Sequence, residues 1–429
     1  MKMTKQTFIT AFALFSLFFG AGNLILPSFL GYNAGSSWLF VLLGFVISAV
    51  IIPILAIYGH AKLQGTMIDF AKKVSPLFAL LYCFVVYIIS ISLPAPRTAS
   101  VTYEMAIAPY FNISSWGLSS IYFILVLVFV LNRSKMMDLV GKYLTPAILI
   151  ILALIIGIGI TGAYEPLRAS IFDSTFTEGI LEGYQTFDAI GGVVVGGVIV
   201  ISLGFKKGSI VENKKILTNA GIIAGLGLLL IYGGLIYLGS LQSGGIESTD
   251  RTALLQFLST QTLGPTGTII LSVLVSLACF TTAVGIITGT ADFIKGLFNN
   301  SEIAYKITAI VGSVLGVLMG QLDVHSIIVV AIPALMFIYP VTIVLILLNA
   351  VHQKYASSLV FKVVVGVTIL FSIPDFCASI GLEDVIKPTQ EFIPLGGVGI
   401  GWLLPAIVAF VVVNIIMLSR KRDTPTPIS

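Results

Sequence analysis

The chain has 429 residues, 57% of them hydrophobic and 10% charged, with a formal net charge of +4 and a mean hydropathy of +1.06. That balance excludes an ordinary soluble domain and points to a polytopic membrane protein. So small a positive excess asks for no nucleic-acid partner, and the meaning of the charges lies in where they fall.

Met1 to Lys5 is short and basic. The apolar run behind it is too long for a signal-peptide core, so the segment is expected to be retained. About twelve apolar spans then follow, each near the twenty or so residues that cross a bilayer core. They run roughly over 6–31, 37–60, 75–101, 114–132, 141–163, 180–205, 214–240, 263–291, 303–321, 325–350, 359–380 and 396–418. None reads as a strand. The predicted fold class is an all-α integral membrane protein of about 12 transmembrane helices, forming one polytopic domain over 1–429.

Loop charge gives the predicted orientation. With the N-terminus cytoplasmic, that side carries Lys2, Lys5, Lys62, Lys72, Lys73, Arg133, Lys135, Lys142, Lys206, Lys207, Lys214, Lys215, Lys295, Lys306, Lys354, Lys362, Arg420, Lys421 and Arg422. The other side carries Arg97, Arg168, Arg251 and Lys387. Cytoplasmic loops attract the basic excess, so both termini are expected to be cytoplasmic.

The first span holds Phe18-Phe19-Gly20-Ala21-Gly22-Asn23 at its centre, with Pro27 just beyond. Glycine in a helix interior costs about 1 kcal/mol relative to alanine, and asparagine competes for backbone hydrogen bonds. A broken backbone in lipid is tolerated only beside protein or a wet cavity. The stretch therefore either lines a site or lets a neighbouring helix approach closely.

In the third span, Leu93-Pro94-Ala95-Pro96-Arg97-Thr98-Ala99 ends or kinks a helix and places a cation near the outer face. Arg97 is expected to pair with Glu104 or to snorkel outward, as a gating or structural residue. Gly157-Ile158-Gly159-Ile160-Thr161-Gly162 matches a dinucleotide-binding pattern, but it closes a membrane span instead of following a strand.

The sixth span carries a second interruption, Phe187-Asp188-Ala189-Ile190-Gly191-Gly192, five spans after the first. A repeat of five helices re-enters the membrane from the opposite side. Interrupted helices at matching positions of two halves are the sequence pointer to an inverted-repeat transporter site. The repeats are expected at about 6–163 and 180–350, with extra helices at 359–418. Asp188 is an acid deep in an apolar span, either paired to a neighbouring helix or holding a cation.

In the eighth span Ala278, Thr281 and Thr282 share one helix face, offering a carbonyl and two hydroxyls. Oxygen ligands suit a monovalent ion; alternatively, the threonines bond their own helix. Cys83, Cys279 and Cys377 lie in apolar spans without a C-x-x-C pair and read as small buried hydrophobes. His60, His325 and His352 form no ligand cluster, and there is neither a P-loop nor a G-x-S-x-G motif. No enzyme is expected.

Taken together, Phe18 to Asn23 with Pro27, Pro96-Arg97-Thr98-Ala99, Tyr184-Gln185-Thr186-Phe187-Asp188 and Cys279-Phe280-Thr281-Thr282-Ala283-Val284-Gly285 resemble the bacterial branched-chain amino acid:cation symporter family. The resemblance covers essentially the whole chain. It implies a LeuT-type five-plus-five inverted repeat with helices 1 and 6 broken at mid-membrane. It also implies sodium-driven uptake of leucine, isoleucine and valine, with sodium as coupling ion and no other cofactor.

Carried over by position, the resemblance gives the substrate Gly20, Ala21, Gly22, Asn23, Phe187, Asp188, Ala189, Ile190 and Gly191, with the Ala21 and Gly22 amides on its carboxylate. It gives sodium Ser16, Phe19, Ala278, Thr281 and Thr282. Asp188 stands where a hydroxyl is often found, so a second sodium site does not carry over. The alternatives are a proton-coupled permease and a carrier of another small neutral amino acid.

Overall fold

The computed structural model describes residues 5–132, 145–204, 209–245 and 250–422, and among these the regular elements are all helices. Lys2, Arg133, Lys135, Lys142, Lys206 and Lys207, which enter the orientation argument, lie outside the described residues.

In chain order the helices are α1 Lys5–Phe18, α2 Ala21–Ala34, α3 Trp38–Val46, α4 Ile52–Leu63, α5 Met67–Ala71 and α6 Pro76–Ser92. There follow α7 Pro94–Thr102, α8 Ser115–Asn132, α9 Thr145–Ile160, α10 Thr175–Tyr184, α11 Asp188–Gly204 and α12 Ile210–Leu241. The last six are α13 Arg251–Leu297, α14 Glu302–Met319, α15 Val324–Ala350, α16 Ser358–Cys377, α17 Glu383–Phe392 and α18 Leu403–Arg422.

Eight described stretches are long and apolar enough to cross a membrane: Gly22–Leu63, Pro76–Ile107, Ser115–Asn132, Ile210–Leu241, Arg251–Leu297, Glu302–Met319, Val324–Ala350 and Ser358–Phe392. Pro146–Ile160 and Leu403–Ser419 are shorter apolar helices. Two spans expected as single passes are each two shorter helices, α1 with α2 and α10 with α11. The eighth span is longer than expected because a preceding helix joins it at Gly264, whose φ of 71° turns the chain just before Pro265. Large apolar side chains such as Phe40, Leu77, Ile124, Ile150 and Leu230 face outward, as a lipid solvent requires.

The chain forms two compact units. The first comprises Met1–Ile51, Val85–Asp188 and Asn219–Ala331. Its helices cross closely where they lack side chains. A Cβ at Gly31 of α2 would strike the Ile236 carbonyl of α12, with Ile236 Cα at 2.8 Å, and one at Gly239 would strike the Ser28 carbonyl, with Ser28 Cα at 3.0 Å. This glycine-to-backbone crossing packs the second half of α2 against the last turns of α12. An apolar cluster of Ile91, Tyr122, Phe123, Val126, Ala283, Ile287 and Tyr305 packs α6, α8, α13 and α14 together, and Tyr305 donates to the Val130 carbonyl at 2.9 Å.

The second unit comprises Ile52–Phe84, Ala189–Thr218 and Ile332–Ser429. His60 is buried, with Nε2 2.8 Å from the Val193 carbonyl and its ring stacked on Phe70. Tyr82 and Thr342 share a hydrogen bond of 2.9 Å, and Asn349 donates to the Phe70 carbonyl at 2.8 Å. In the loop before α5, Thr66 and Asp69 form a capping box. The Thr66 amide holds the Asp69 carboxyl below the usual carboxylate range.

Candidate functional site

The first interruption follows from its glycines. α1 stops at Phe18, and the Gly20 amide turns back to the Phe18 carbonyl at 2.9 Å. The Ser16 carbonyl thereby loses the partner it would have four residues on. Gly20 is extended, at φ −106° and ψ −168°, and α2 restarts at Ala21. The break is therefore Phe19–Gly20 alone. Ala21, Gly22 and Asn23 are helical, and their amides belong to a first turn that lacks carbonyl partners.

The second interruption begins two residues earlier than the sequence suggests, and it is shorter. α10 ends at Tyr184, and the Gln185, Thr186 and Phe187 amides each reach back three residues, at 3.0, 3.3 and 3.1 Å. Phe187 then adopts φ 62°, a left-handed conformation that costs a bulky residue roughly 1–2 kcal/mol. α11 begins at Asp188. Ala189, Ile190 and Gly191 are helical, not unwound. Gly192, expected within the break, serves packing: a Cβ there would stand 2.9 Å from Ala56 Cβ and 3.2 Å from the Pro53 carbonyl.

These two interruptions meet inside the first unit. Asn23 Nδ2 donates to Asp188 Oδ1 and Oδ2, each at 2.8 Å. Tyr232 of α12 donates to Asp188 Oδ2 at 2.9 Å and also accepts from Asn23 Nδ2. All three residues are buried. Asp188 opens α11, where the helix dipole favours an anion, and its amide is capped by Thr186 Oγ1 at 3.2 Å. The donors to its carboxylate are neutral, so they solvate the charge without cancelling it. Tyr232 is a site residue that sequence reasoning missed. It is one of 15 tyrosines and sits in an unbroken apolar helix.

Arg97 is not near the outer surface. It is 3% exposed in α7 and donates through Nη1 to the Gln185 carbonyl at 2.9 Å. Its guanidinium lies over the Phe187 ring, 5.3 Å from the centroid. It also lies against Gly22, where a Cβ would stand 2.9 Å from Cζ. Pro94 explains the difference: it occupies the first turn of α7 and restarts the helix, so Arg97 lies within a span that continues beyond it instead of ending one. The described partners of Glu104 lie elsewhere, in Thr252 Oγ1 and the Val324 amide, both at 2.8 Å.

Thr282 lies beside the first break, its Oγ1 3.6 Å from where a Gly20 Cβ would stand. Thr281 and Thr282 both donate to the Ala278 carbonyl, at 2.9 and 3.0 Å. Their protons are spent within the helix, while their oxygens keep lone pairs. Phe19 stacks between Phe15 and Tyr232, at centroid distances of 5.0 and 6.3 Å. Among the described residues no cluster of His, Cys, Asp or Glu could hold a metal ion.

The family model for branched-chain amino acid transport proteins matches residues 3–420. The chain belongs to this family. It is therefore a carrier and not an enzyme. Among its relatives, the branched-chain amino acid transport system 2 carrier protein of Pseudomonas aeruginosa is 32% identical over 96% of both chains. The branched-chain amino acid permease BrnQ of Corynebacterium glutamicum is 30% identical, covering 94% of this chain and 93% of the permease.

Solved structures show the fold. A sodium-coupled sialic acid symporter in a substrate-bound, outward-open state matches with a TM-score of 0.59 at 14% identity, over 96% of this chain and 90% of that one. MhsT in complex with L-phenylalanine matches with a TM-score of 0.54 at 17% identity, over 96% and 98%. The family member thus has the LeuT-type all-helical fold that the resemblance implies.

Proposed function

We propose that the chain is a secondary active symporter that imports leucine, isoleucine and valine into a bacterial cell, driven by sodium and working by alternating access. The observation that carries this reading is the Asn23–Asp188 pair. It joins two interrupted helices in one buried polar cluster. Relatives named as branched-chain amino acid carriers and permeases support the substrate class, and the sodium-coupled symporter of like fold supports the ion.

In this reading the two repeats, 6–163 and 180–350, each open with an interrupted helix, and both termini are cytoplasmic. The substrate lies beside the two breaks, against Gly20, Ala21, Gly22 and Asn23 and against Phe187 and Asp188. The first-turn amides of α2 take its carboxylate, and Asp188 takes its ammonium. Sodium lies beside the first break, on the Ser16 and Phe19 carbonyls with Ala278, Thr281 and Thr282. Ion and amino acid then favour the same closed state, which is what couples them.

The test is uptake of radiolabelled leucine into proteoliposomes. An inward sodium gradient is expected to drive accumulation that excess isoleucine or valine suppresses, and choline in place of sodium is expected to abolish it. Equal accumulation under a pH gradient without sodium would establish the proton-coupled reading. Failure of valine and isoleucine to compete would point to a different neutral amino acid.

A further inference from the structure

We propose that α17 lies in the boundary layer of the membrane, where α16 leaves the bilayer and α18 enters it, with Leu382, Val385 and Phe392 set among lipid. The partner is a phospholipid surface, and the inference does not depend on what the chain carries.

The position follows from lengths. α16 and α18 have 20 residues each, and each is therefore about as long as the hydrocarbon core is thick. The 10 residues of α17 reach about half as far, so α17 does not cross. Between α16 and α17 the chain turns at Gly381, whose φ is 87°. Asp375, buried in the last turn of α16, then fixes the level. Its Oδ1 accepts from Gln390 Nε2 of α17 at 3.4 Å, and its Oδ2 accepts from the Gly401 amide, just before α18, at 3.2 Å. One carboxylate thus ties the end of α16, the end of α17 and the start of α18 at one depth.

The faces of α17 are sorted for such a place. Leu382 at its start, Val385, Thr389 and Phe392 recur at helical spacing and fall on one side. Val385 and Phe392 are 72% and 89% exposed, so the protein itself covers almost none of this stripe. Glu383, Asp384, Lys387 and Glu391 take the opposite side, and all four are exposed. Ile386 and Gln390, half-buried, face the protein from between the two stripes. An apolar stripe opposite a charged one is the pattern of a helix lying in a membrane interface.

Stability points the same way. So short a helix is marginal in water, Pro388 removes one of its backbone donors, and none of its residues is fully buried. A lipid surface supplies the burial that the protein does not. A second copy of the chain is a poorer fit, since three apolar side chains fall well short of the roughly 800 Å² per partner that a standard interface buries. With three acids against one lysine in α17, the attraction comes from the apolar side chains and needs no anionic headgroup.

The test uses the full-length protein reconstituted in phosphatidylcholine vesicles. Cys83, Cys279 and Cys377 are replaced by alanine, and one nitroxide at a time is attached through Val385→Cys, Lys387→Cys, Glu391→Cys or Phe392→Cys. The collision partners are oxygen, which gathers in hydrocarbon, and a water-soluble nickel chelate. Oxygen is expected to dominate at Val385 and Phe392, and the chelate at Lys387 and Glu391. Dominance of the chelate at all four would place α17 in water. Shielding of Val385 and Phe392 from both partners would mean that protein covers the stripe, and either result would overturn the proposal. If the cysteine-replaced protein does not fold, Phe392→Trp in the otherwise native chain gives a second reading. Its added emission is expected to be quenched by phospholipids brominated near the headgroup and spared by aqueous iodide; the reverse would overturn the proposal.

Discussion

Gly22 and Arg97 compete for the same space, and only the absence of a side chain at one admits the other. Gly22→Val is therefore expected to abolish leucine binding while the protein still inserts, since a β-branched group would displace the guanidinium from the first turn of α2. Scintillation proximity binding on purified protein checks this, and native leucine affinity in the variant would place the site elsewhere. Thr281 and Thr282 pose the opposite case, since their hydroxyls already bond the Ala278 carbonyl. If their oxygens also hold sodium, either alanine variant should raise the sodium needed for half-maximal uptake. The loss should be about 1–3 kcal/mol, the scale of an unpaired buried polar group. Unchanged sodium dependence in both would show that they serve packing alone. Asp188 and the Gly20 break are legible in the sequence because an acid and paired glycines are out of place in an apolar span. Tyr232 is not, because a tyrosine in such a span is ordinary. The burial of Arg97 was not legible, since it packs on Gly22 and Gln185, which are remote in sequence.

At the level of elements, each interruption is short and sharply bounded. Phe19–Gly20 separates α1 from α2, and Gln185–Phe187 separates α10 from α11. The sequence marks the first closely, since glycine and asparagine flank it. It marks the second poorly: Gly191 and Gly192 draw attention to a stretch that is helical, while the turn itself is made by Phe187 in a left-handed conformation that few would assign to phenylalanine. The junction is then held by the crossing of α2 on α12 through Gly31 and Gly239. Backbone atoms face both glycines and cannot give way as a flexible side chain would. Gly31→Ala is thus expected to destabilise the protein by about 1–3 kcal/mol, as overpacking does. It should also weaken leucine binding by shifting Asn23 from Tyr232. A thermal unfolding midpoint equal to wild type in detergent would contradict this account of the crossing.

For the whole molecule, the claim is that ion and amino acid bind one junction and stabilise one state together. The fold class was legible because length and hydropathy dictate it. The number of spans was not, because eight described stretches are long and apolar enough to cross a membrane and an interrupted span divides into two short helices. Linkage makes the claim measurable: if sodium tightens leucine, leucine must tighten sodium by the same factor. The most direct test is calorimetric titration of purified protein with leucine in sodium chloride and in choline chloride, paired with sodium titrations with and without leucine. The account predicts that sodium lowers the leucine Kd by about 5- to 150-fold, the usual range of such coupling, with the same factor in the reciprocal titration. Equal leucine affinity in sodium and choline would contradict it.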